Sequence, residues 1–196
     1  MQIAILGKGN MGTPLATLLR NAGHLVDSVG RADDPVAAIS RAEVVILALK
    51  YEQALAILAQ PAIKQMLSGK TVIDITNPLS EDFMSLTTGH STSGAEELAR
   101  LLPTSAVVKA FNTIFASVLA DHAEGTLCRL PVFVAGNDSA AVECVTTLVR
   151  GMNLKAIAAG DLTNARYLEP MTEMMIQFGY GLGHGDRIGF SLETAA

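Results

Sequence analysis

Residues 3–12 read Ile-Ala-Ile-Leu-Gly-Lys-Gly-Asn-Met-Gly, an apolar strand that runs straight into Gly7-x-Gly9-x-x-Gly12, and residues 13–22 continue with helical character. Three glycines in six residues occur often by chance. Strand, then glycines, then helix is the dinucleotide-binding arrangement. In that arrangement Gly7 allows the tight turn, Gly9 lets the backbone approach a pyrophosphate without a Cβ in the way, and Gly12 lets the helix pack close to the strand. The helix start presents unpaired N–H groups and a partial positive charge. Gly7, Lys8, Gly9, Asn10, Met11 and Gly12 are therefore expected to form a phosphate cradle.

The rest of the chain alternates in the same way. Apolar runs at 24–29, 44–49, 71–75, 106–111, 131–135 and 154–158 read as strands. Segments 52–67 (broken or kinked at Pro61), 93–102 (with a Ser93/Glu96 capping box), 138–150 and 162–181 read as helices. Residues 80–91 read as loop, and the glycine-rich tail as loop with a short strand near 188–192. Strands alternating with helices predict an α/β, Rossmann-like, doubly wound and mostly parallel sheet with a small helical C-terminal extension. The expected division is a nucleotide-binding domain at 1–155 and a segment at 156–196 that completes the cleft and a dimer interface.

Composition narrows the function classes. The 196 residues carry a formal net charge of −5, which disfavours nucleic acid as a partner. Apolar runs such as 44–49 are too short to cross a bilayer, and a strand beginning at residue 2 or 3 leaves no room for a signal peptide. Cys128 and Cys144 are too few for a disulfide framework and lie in no metal-ligand spacing, so a reducing, cytoplasmic setting is expected. The histidines at 24, 90, 122 and 184 are scattered, and no nucleophile stands with its base. No catalytic side chain and no metal site are expected.

Cofactor selectivity is read at the end of the second strand. An NAD site places an Asp or Glu there, whereas this chain has Gly30-Arg31, and a guanidinium suits a 2′-phosphate. NADP is the expected cofactor, with Asp33 and Asp34 near enough to keep NAD as an alternative. Ligands in open parallel sheets bind beyond the carboxyl ends of the strands. Ala48, Leu49, Lys50 and Tyr51, then Asn77 and Pro78, then Ala110 and Asn112, are thus expected around the nicotinamide. Asn77 and Asn112 either bond the cofactor or cap their turns. Lys109 is either a charge in the cleft or a solvated stem. The methionine-rich stretch 168–178 is too broadly apolar for one face of a solitary domain, which predicts a homodimer.

Six words of the sequence, Gly-Lys-Gly-Asn-Met-Gly at 7–12, Asp-Ile-Thr-Asn-Pro-Leu at 74–79, Ser-Gly-Ala-Glu-Glu-Leu at 93–98, Val-Val-Lys-Ala-Phe-Asn-Thr at 107–113, Val-Ala-Gly-Asn-Asp at 134–138 and Asn-Ala-Arg-Tyr-Leu-Glu-Pro-Met at 164–171, resemble the coenzyme F420-dependent NADP oxidoreductase family over nearly the whole chain. The resemblance implies a Rossmann domain, usually a homodimer, and hydride transfer between NADPH and a deazaflavin. The chain departs from the family at Gly30, where a hydroxyl residue usually precedes the arginine, and at Lys50, where proline is frequent. Its connection after the second strand is short, and Gly181-x-Gly183-x-Gly185 with Arg187-Ile-Gly-Phe190 matches only loosely. The expected activity is NADP(H)-dependent hydride transfer to a flavin-like or deazaflavin acceptor (a flavin or coenzyme F420). The competing expectation is an NADP-binding sensor or interaction protein without turnover. An enzyme should shape 181–190 into a wall beside the nicotinamide, which a sensor does not need.

Overall fold

The computed structural model describes residues 1–195. Strand β1 (Gln2–Leu6) is buried from Ile3 onward and β3 (Val44–Leu47) throughout, as continuous β-branched and leucine runs require of strands covered on both faces. They lie side by side within a seven-stranded sheet of order β2-β1-β3-β4-β5-β6-β7, with β2 (Leu25–Val29) on one edge and β7 (Lys155–Ala158) on the other. Every pairing is parallel except that of β5 (Ala106–Lys109) with β6 (Pro131–Gly136), which is antiparallel. Helices cover both faces. On one, α1 (Gly12–Asn21), α6 (Ala116–Ala123) and α7 (Ser139–Gly151) pack on Ile3, Ile5, Ile46 and Val108. On the other, α2 (Val36–Arg41), α3 (Tyr51–Leu58), α4 (Pro61–Leu67) and α5 (Gly94–Leu101) pack on Ala4, Val45, Leu47 and Val72. Each fully buried Ile or Leu contributes roughly 1.5–3 kcal/mol, so these two layers are the main source of stability.

The fold is Rossmann-like and doubly wound, as expected, with corrections to particular elements. The 52–67 stretch is two helices, because Gln60 is extended and Pro61 opens α4. Helix α6 was not expected, although its Ala-Ser-Val-Leu-Ala-Asp-His-Ala sequence favours helix. The long C-terminal helix is composite. A short 3₁₀ turn, Leu162–Asn164, leads into α8 (Ala165–Ile176), and a wide turn, Gln177–Gly181, ends it. The strand expected near 188–192 does not form. Gly183 and Gly185 hold left-handed φ values of 78° and 77°, and a Cβ at Gly189 would lie 2.4 Å from Leu130 Cδ1, so the tail turns repeatedly and packs on a side chain.

Candidate functional site

The strand order reverses between β1 and β3, because β2 lies to one side of β1 and β3–β7 to the other. Ligands of open α/β sheets bind in the crevice at such a point. Here the glycine loop leaves β1 under tight restraint. A Cβ at Gly7, whose φ is 122°, would sit 1.9 Å from the Ala48 carbonyl oxygen at the end of β3. A Cβ at Gly12 would sit 2.0 Å from the Gly7 carbonyl oxygen. Gly9 differs, because nothing lies within 4 Å of the position its Cβ would take. Met11 precedes α1 without a side-chain cap, and among the described residues the N–H groups of Asn10, Met11 and Gly12 find no acceptor. Open space in front of unpaired N–H groups at a helix start fits a pyrophosphate.

At the end of β2 the chain turns through Gly30–Asp33, with the Asp33 N–H donating to the Gly30 carbonyl at 3.2 Å. The Asp33 carboxylate oxygen Oδ2 accepts from the Gly30 N–H at 2.8 Å and from Lys8 Nζ at 2.6 Å. The Lys8 ammonium and the Gly30 amide hold the Asp33 carboxyl below its usual range. Asp34 is committed elsewhere, accepting the Val36 N–H at the start of α2. Arg31 is exposed, and no acceptor engages it among the described residues.

Beyond β3, Lys50 is exposed, with Nζ 5.4 Å from the centre of the Phe83 ring. Tyr51 is buried at the start of α3, and its hydroxyl donates to Glu97 Oε2 at 2.6 Å. Burial, then the Glu97 carboxylate, pushes that phenol well above its usual range. Asn77 and Asn112 meet. Asn112 Nδ2 donates to Asn77 Oδ1 at 3.0 Å, to the Leu168 carbonyl at 2.9 Å and to Thr172 Oγ1 at 3.1 Å, while Asn77 Nδ2 donates to the Asn112 carbonyl at 3.3 Å. Asn112 follows Phe111, which holds a left-handed φ of 61° although bulky, an uncommon backbone state at the mouth of the sheet. The amide nitrogen of Asn112 is therefore spent on Asn77 and α8. Its Oδ1 is buried without a partner, as is Thr76 Oγ1 at the end of β4 (Thr71–Asp74).

Lys109 is the principal surprise of the site. It is neither a solvated stem nor a free charge in the cleft, but fully buried. Its Nζ donates to Asp74 Oδ2 at 2.9 Å, to the Thr76 carbonyl at 2.6 Å and to Glu169 Oε1 at 2.8 Å, so all three protons are used. Asp74 and Lys109 are direct partners across β4 and β5. Glu169, on α8, also accepts the Gly94 N–H at 2.9 Å and the Ala95 N–H at 3.1 Å, which caps α5. A Cβ at Gly94 would lie 3.0 Å from Tyr51 and 3.3 Å from both Glu169 and Pro78, so a glycine is needed where these elements close. Burial alone would push the Lys109 ammonium down, but Asp74 and Glu169 outweigh it and hold the group above its usual value. Farther along, Arg166 donates from Nε and Nη2 to both oxygens of Glu96 at 2.8 and 2.6 Å. Glu169 thus ties α8 to β5 through Lys109, and Glu169 and Arg166 tie it to the first turn of α5.

Arg166, one of these ties, also reaches the outer face of α8. A cavity of about 500 Å³ opens there, lined by His90, Arg166, Tyr167, Pro170, Met171, Met174 and Phe190. Leu168, Met175 and Ile176 are buried, whereas Tyr167 and Met174 are 69% and 48% exposed. The tail beyond α8 is anchored. Phe115 and Tyr180 meet edge to face at 5.7 Å, Ser117 Oγ donates to the Asp186 carbonyl at 2.7 Å, and Gln177 Nε2 donates to the Met84 carbonyl at 3.0 Å. Among the described residues no helix is long and apolar enough to cross a membrane, and no group of three or more His, Cys, Asp or Glu side chains is placed to hold a metal ion.

Most of the expected site residues are in this way gathered at one end of the sheet. Gly7 and Gly12 close on Ala48, Lys8 reaches Gly30 through Asp33, Tyr51 and Pro78 meet at Gly94, and Asn77 meets Asn112 just past Ala110. Arg31 is joined to none of them. The Asp74–Lys109–Glu169 network was missed, yet a lone acid in Val-Ile-Asp-Ile and a lone base in Val-Val-Lys-Ala signal a charge pair across neighbouring strands.

A glycine loop at the switch point of a doubly wound sheet defines a Rossmann-type dinucleotide-binding protein. Residues 28–78 match the family described as NADP oxidoreductase, coenzyme F420-dependent. The chain is 32% identical over 169 residues to the F420-dependent NADP reductase of Methanothermobacter thermautotrophicus, an alignment covering 81% of this chain and 69% of that protein. It is 29% identical over 183 residues to the metalloreductase STEAP3 of Rattus norvegicus, covering 86% of this chain but only 36% of that longer protein. A crystal structure from Arthrobacter sp. FB24, assigned as an F420-dependent NADP reductase, superposes with a TM-score of 0.86 at 29% identity over 99% of this chain and 100% of that one. The chain belongs to the coenzyme F420-dependent NADP oxidoreductase family, and by class it is an NADP-dependent oxidoreductase.

Proposed function

We propose that the chain transfers hydride between NADPH and a flat acceptor, a deazaflavin such as coenzyme F420 or a flavin. The observation that carries this reading is the open space at Gly9 in front of three unpaired N–H groups at the switch point. Gly7–Gly12 hold the pyrophosphate, Arg31 faces the 2′-phosphate, and Ala48–Tyr51, Asn77, Pro78, Ala110 and Asn112 shape the nicotinamide end. When bound, NADPH supplies the hydride. The protein's part is to place donor and acceptor carbons and to exclude water, which needs no side-chain acid or base, and the proton that completes acceptor reduction comes from solvent. The role of Asn112 is to fix Asn77 and α8 at the strand ends rather than to lend its amide nitrogen to the cofactor. Residues 1–155 do the nucleotide binding. Residues 156–196 supply α8 and the tail, whose ties to α6 and Met84 support its reading as the far wall of the cleft.

The cofactor assignment is tested at Arg31. Arg31→Ala should weaken NADPH by roughly 1.5–3 kcal/mol, the value of a charged hydrogen bond, and NADH far less. Calorimetric titration of both cofactors reads the difference, and equal losses would assign Arg31 to the loop surface.

The exposed Tyr167 and Met174 beside the α8 cavity fit burial against a second copy in a homodimer of a cytoplasmic protein. Light scattering at micromolar concentration should return twice the chain mass, and the chain mass alone would count against it.

A further inference from the structure

The Lys8–Asp33 bridge joins two segments with opposite preferences. Lys8 lies inside the phosphate loop, and Asp33 lies in the turn that follows β2, folded back on Gly30 at the strand end, the region where a carboxylate accepts from a ribose diol in sites that prefer NAD. The bridge leaves little slack. A Cβ at Gly30 would fall 3.2 Å from Lys8 Cδ and 3.3 Å from Asp33 Oδ2, so Gly30 is the bed on which the two side chains meet. Asp33 Oδ2 already accepts from both Lys8 Nζ and the Gly30 N–H. That oxygen is poorly placed to take a ribose hydroxyl as well. Asp34 is bound to Val36, which leaves Asp33 as the carboxylate that matters here. Arg31, one residue beyond Gly30, has no competing partner among the described residues. Both Lys8 and Asp33 side chains are about half exposed, at 53% and 49%, so an incoming anion can reach the ammonium.

We propose that Lys8 is a specificity-determining residue that exchanges partners, from Asp33 in the free protein to the 2′-phosphate in the complex, and that by occupying Asp33 it also suppresses NADH. The inference rests on the NADP reading above and deepens it. A 2′-phosphate carries nearly two negative charges, a stronger partner for an ammonium than one carboxylate. NADH offers no such anion, so Lys8 stays on Asp33 Oδ2 and the ribose hydroxyls must compete with it for the carboxylate. Lys8 thus acts twice, for the right cofactor through the 2′-phosphate and against the wrong one by holding Asp33, while Asp33 competes with the 2′-phosphate for the ammonium.

The test is direct calorimetric binding of NADPH, NADH and adenosine 2′,5′-bisphosphate to the wild-type chain, Lys8→Met and Asp33→Asn. Met keeps the stem over Gly30, and Asn keeps an oxygen for the Gly30 N–H, so both variants should retain the turn, as circular dichroism will show. Lys8→Met should weaken NADPH and the bisphosphate by about tenfold and strengthen NADH by a few-fold, as expected when a charged partner is lost and a carboxylate is freed. Asp33→Asn should do the reverse, strengthening NADPH and the bisphosphate about five-fold and weakening NADH. If both variants leave the NADPH-to-NADH affinity ratio of a wild type that prefers NADPH unchanged, the exchange is wrong while the cofactor assignment stands. If the wild type binds neither the bisphosphate nor NADPH, both fall.

Discussion

Lys109→Met is expected to cost about 3–5 kcal/mol of folding stability, the usual penalty for breaking a buried ion pair from one side. The ammonium is fully buried between Asp74 and Glu169. Without it two carboxylates remain in the core, with only the Gly94 and Ala95 amides and the Thr76 N–H still donating to them. Because Glu169 belongs to α8 and Asp74 to β4, the loss should also loosen α8 from the sheet. Urea denaturation reads the cost, and hydrogen exchange across α8 reads the loosening. A loss below about 1 kcal/mol, within the range of exposed pairs, would show that the network is not what holds α8. The pH dependence has a definite sign. The folded-state pKa of Lys109 is raised, so its contribution is fully present below the unfolded lysine value, about 10.4, and is lost as pH rises through the higher folded value. The wild type should lose stability above that point, and Lys109→Met should lack this component.

Gly9→Val should abolish dinucleotide binding, by at least about 100-fold, while the protein stays folded, because a side chain would occupy the space kept for the pyrophosphate. The three glycines of the loop separate cleanly in this respect. Substituting Gly7 or Gly12 would drive a Cβ into backbone oxygen at 1.9 or 2.0 Å, so those changes report on folding. Gly9 alone of the three has open space, so its substitution reports on the ligand. Calorimetry on a variant with an unchanged circular dichroism spectrum is the measurement. Unchanged NADPH affinity would remove the loop from the site.

These two cases also mark where the sequence was legible. The glycine loop could be read because its requirements are local, a strand, a turn and a helix within twenty residues, and continuous apolar runs identified β1 and β3 in the same way. The charge network could not be read so easily, because Asp74, Lys109 and Glu169 are far apart in sequence and only the pairing of β4 with β5 and the descent of α8 bring them together. Lysine at a strand end is ordinarily solvated, and the lone charges in Val-Ile-Asp-Ile and Val-Val-Lys-Ala signal a pair only once β4 is set beside β5. Asn112 was placed at the right end of the sheet, but its amide direction depends on Leu168 and Thr172. The antiparallel β6 lay beyond reach for the same reason, since an apolar run of six residues carries no direction. The tail misled because its short apolar stretch at 188–192 has strand character, while Gly183, Gly185 and the fit of Gly189 on Leu130 keep it irregular.

The central claim is that this cleft binds NADPH and passes its hydride to a flat acceptor. The most direct measurement is oxidation of NADPH carrying deuterium at C4, followed at 340 nm against coenzyme F420, FMN, FAD and riboflavin, with mass analysis of the reduced acceptor. The account predicts turnover with at least one of these, preference for NADPH over NADH, and deuterium delivered to a deazaflavin (a flavin would lose it to solvent after transfer). Tight NADPH binding with no oxidation against any of the four would contradict it, and would favour a protein that senses the cofactor without turning it over.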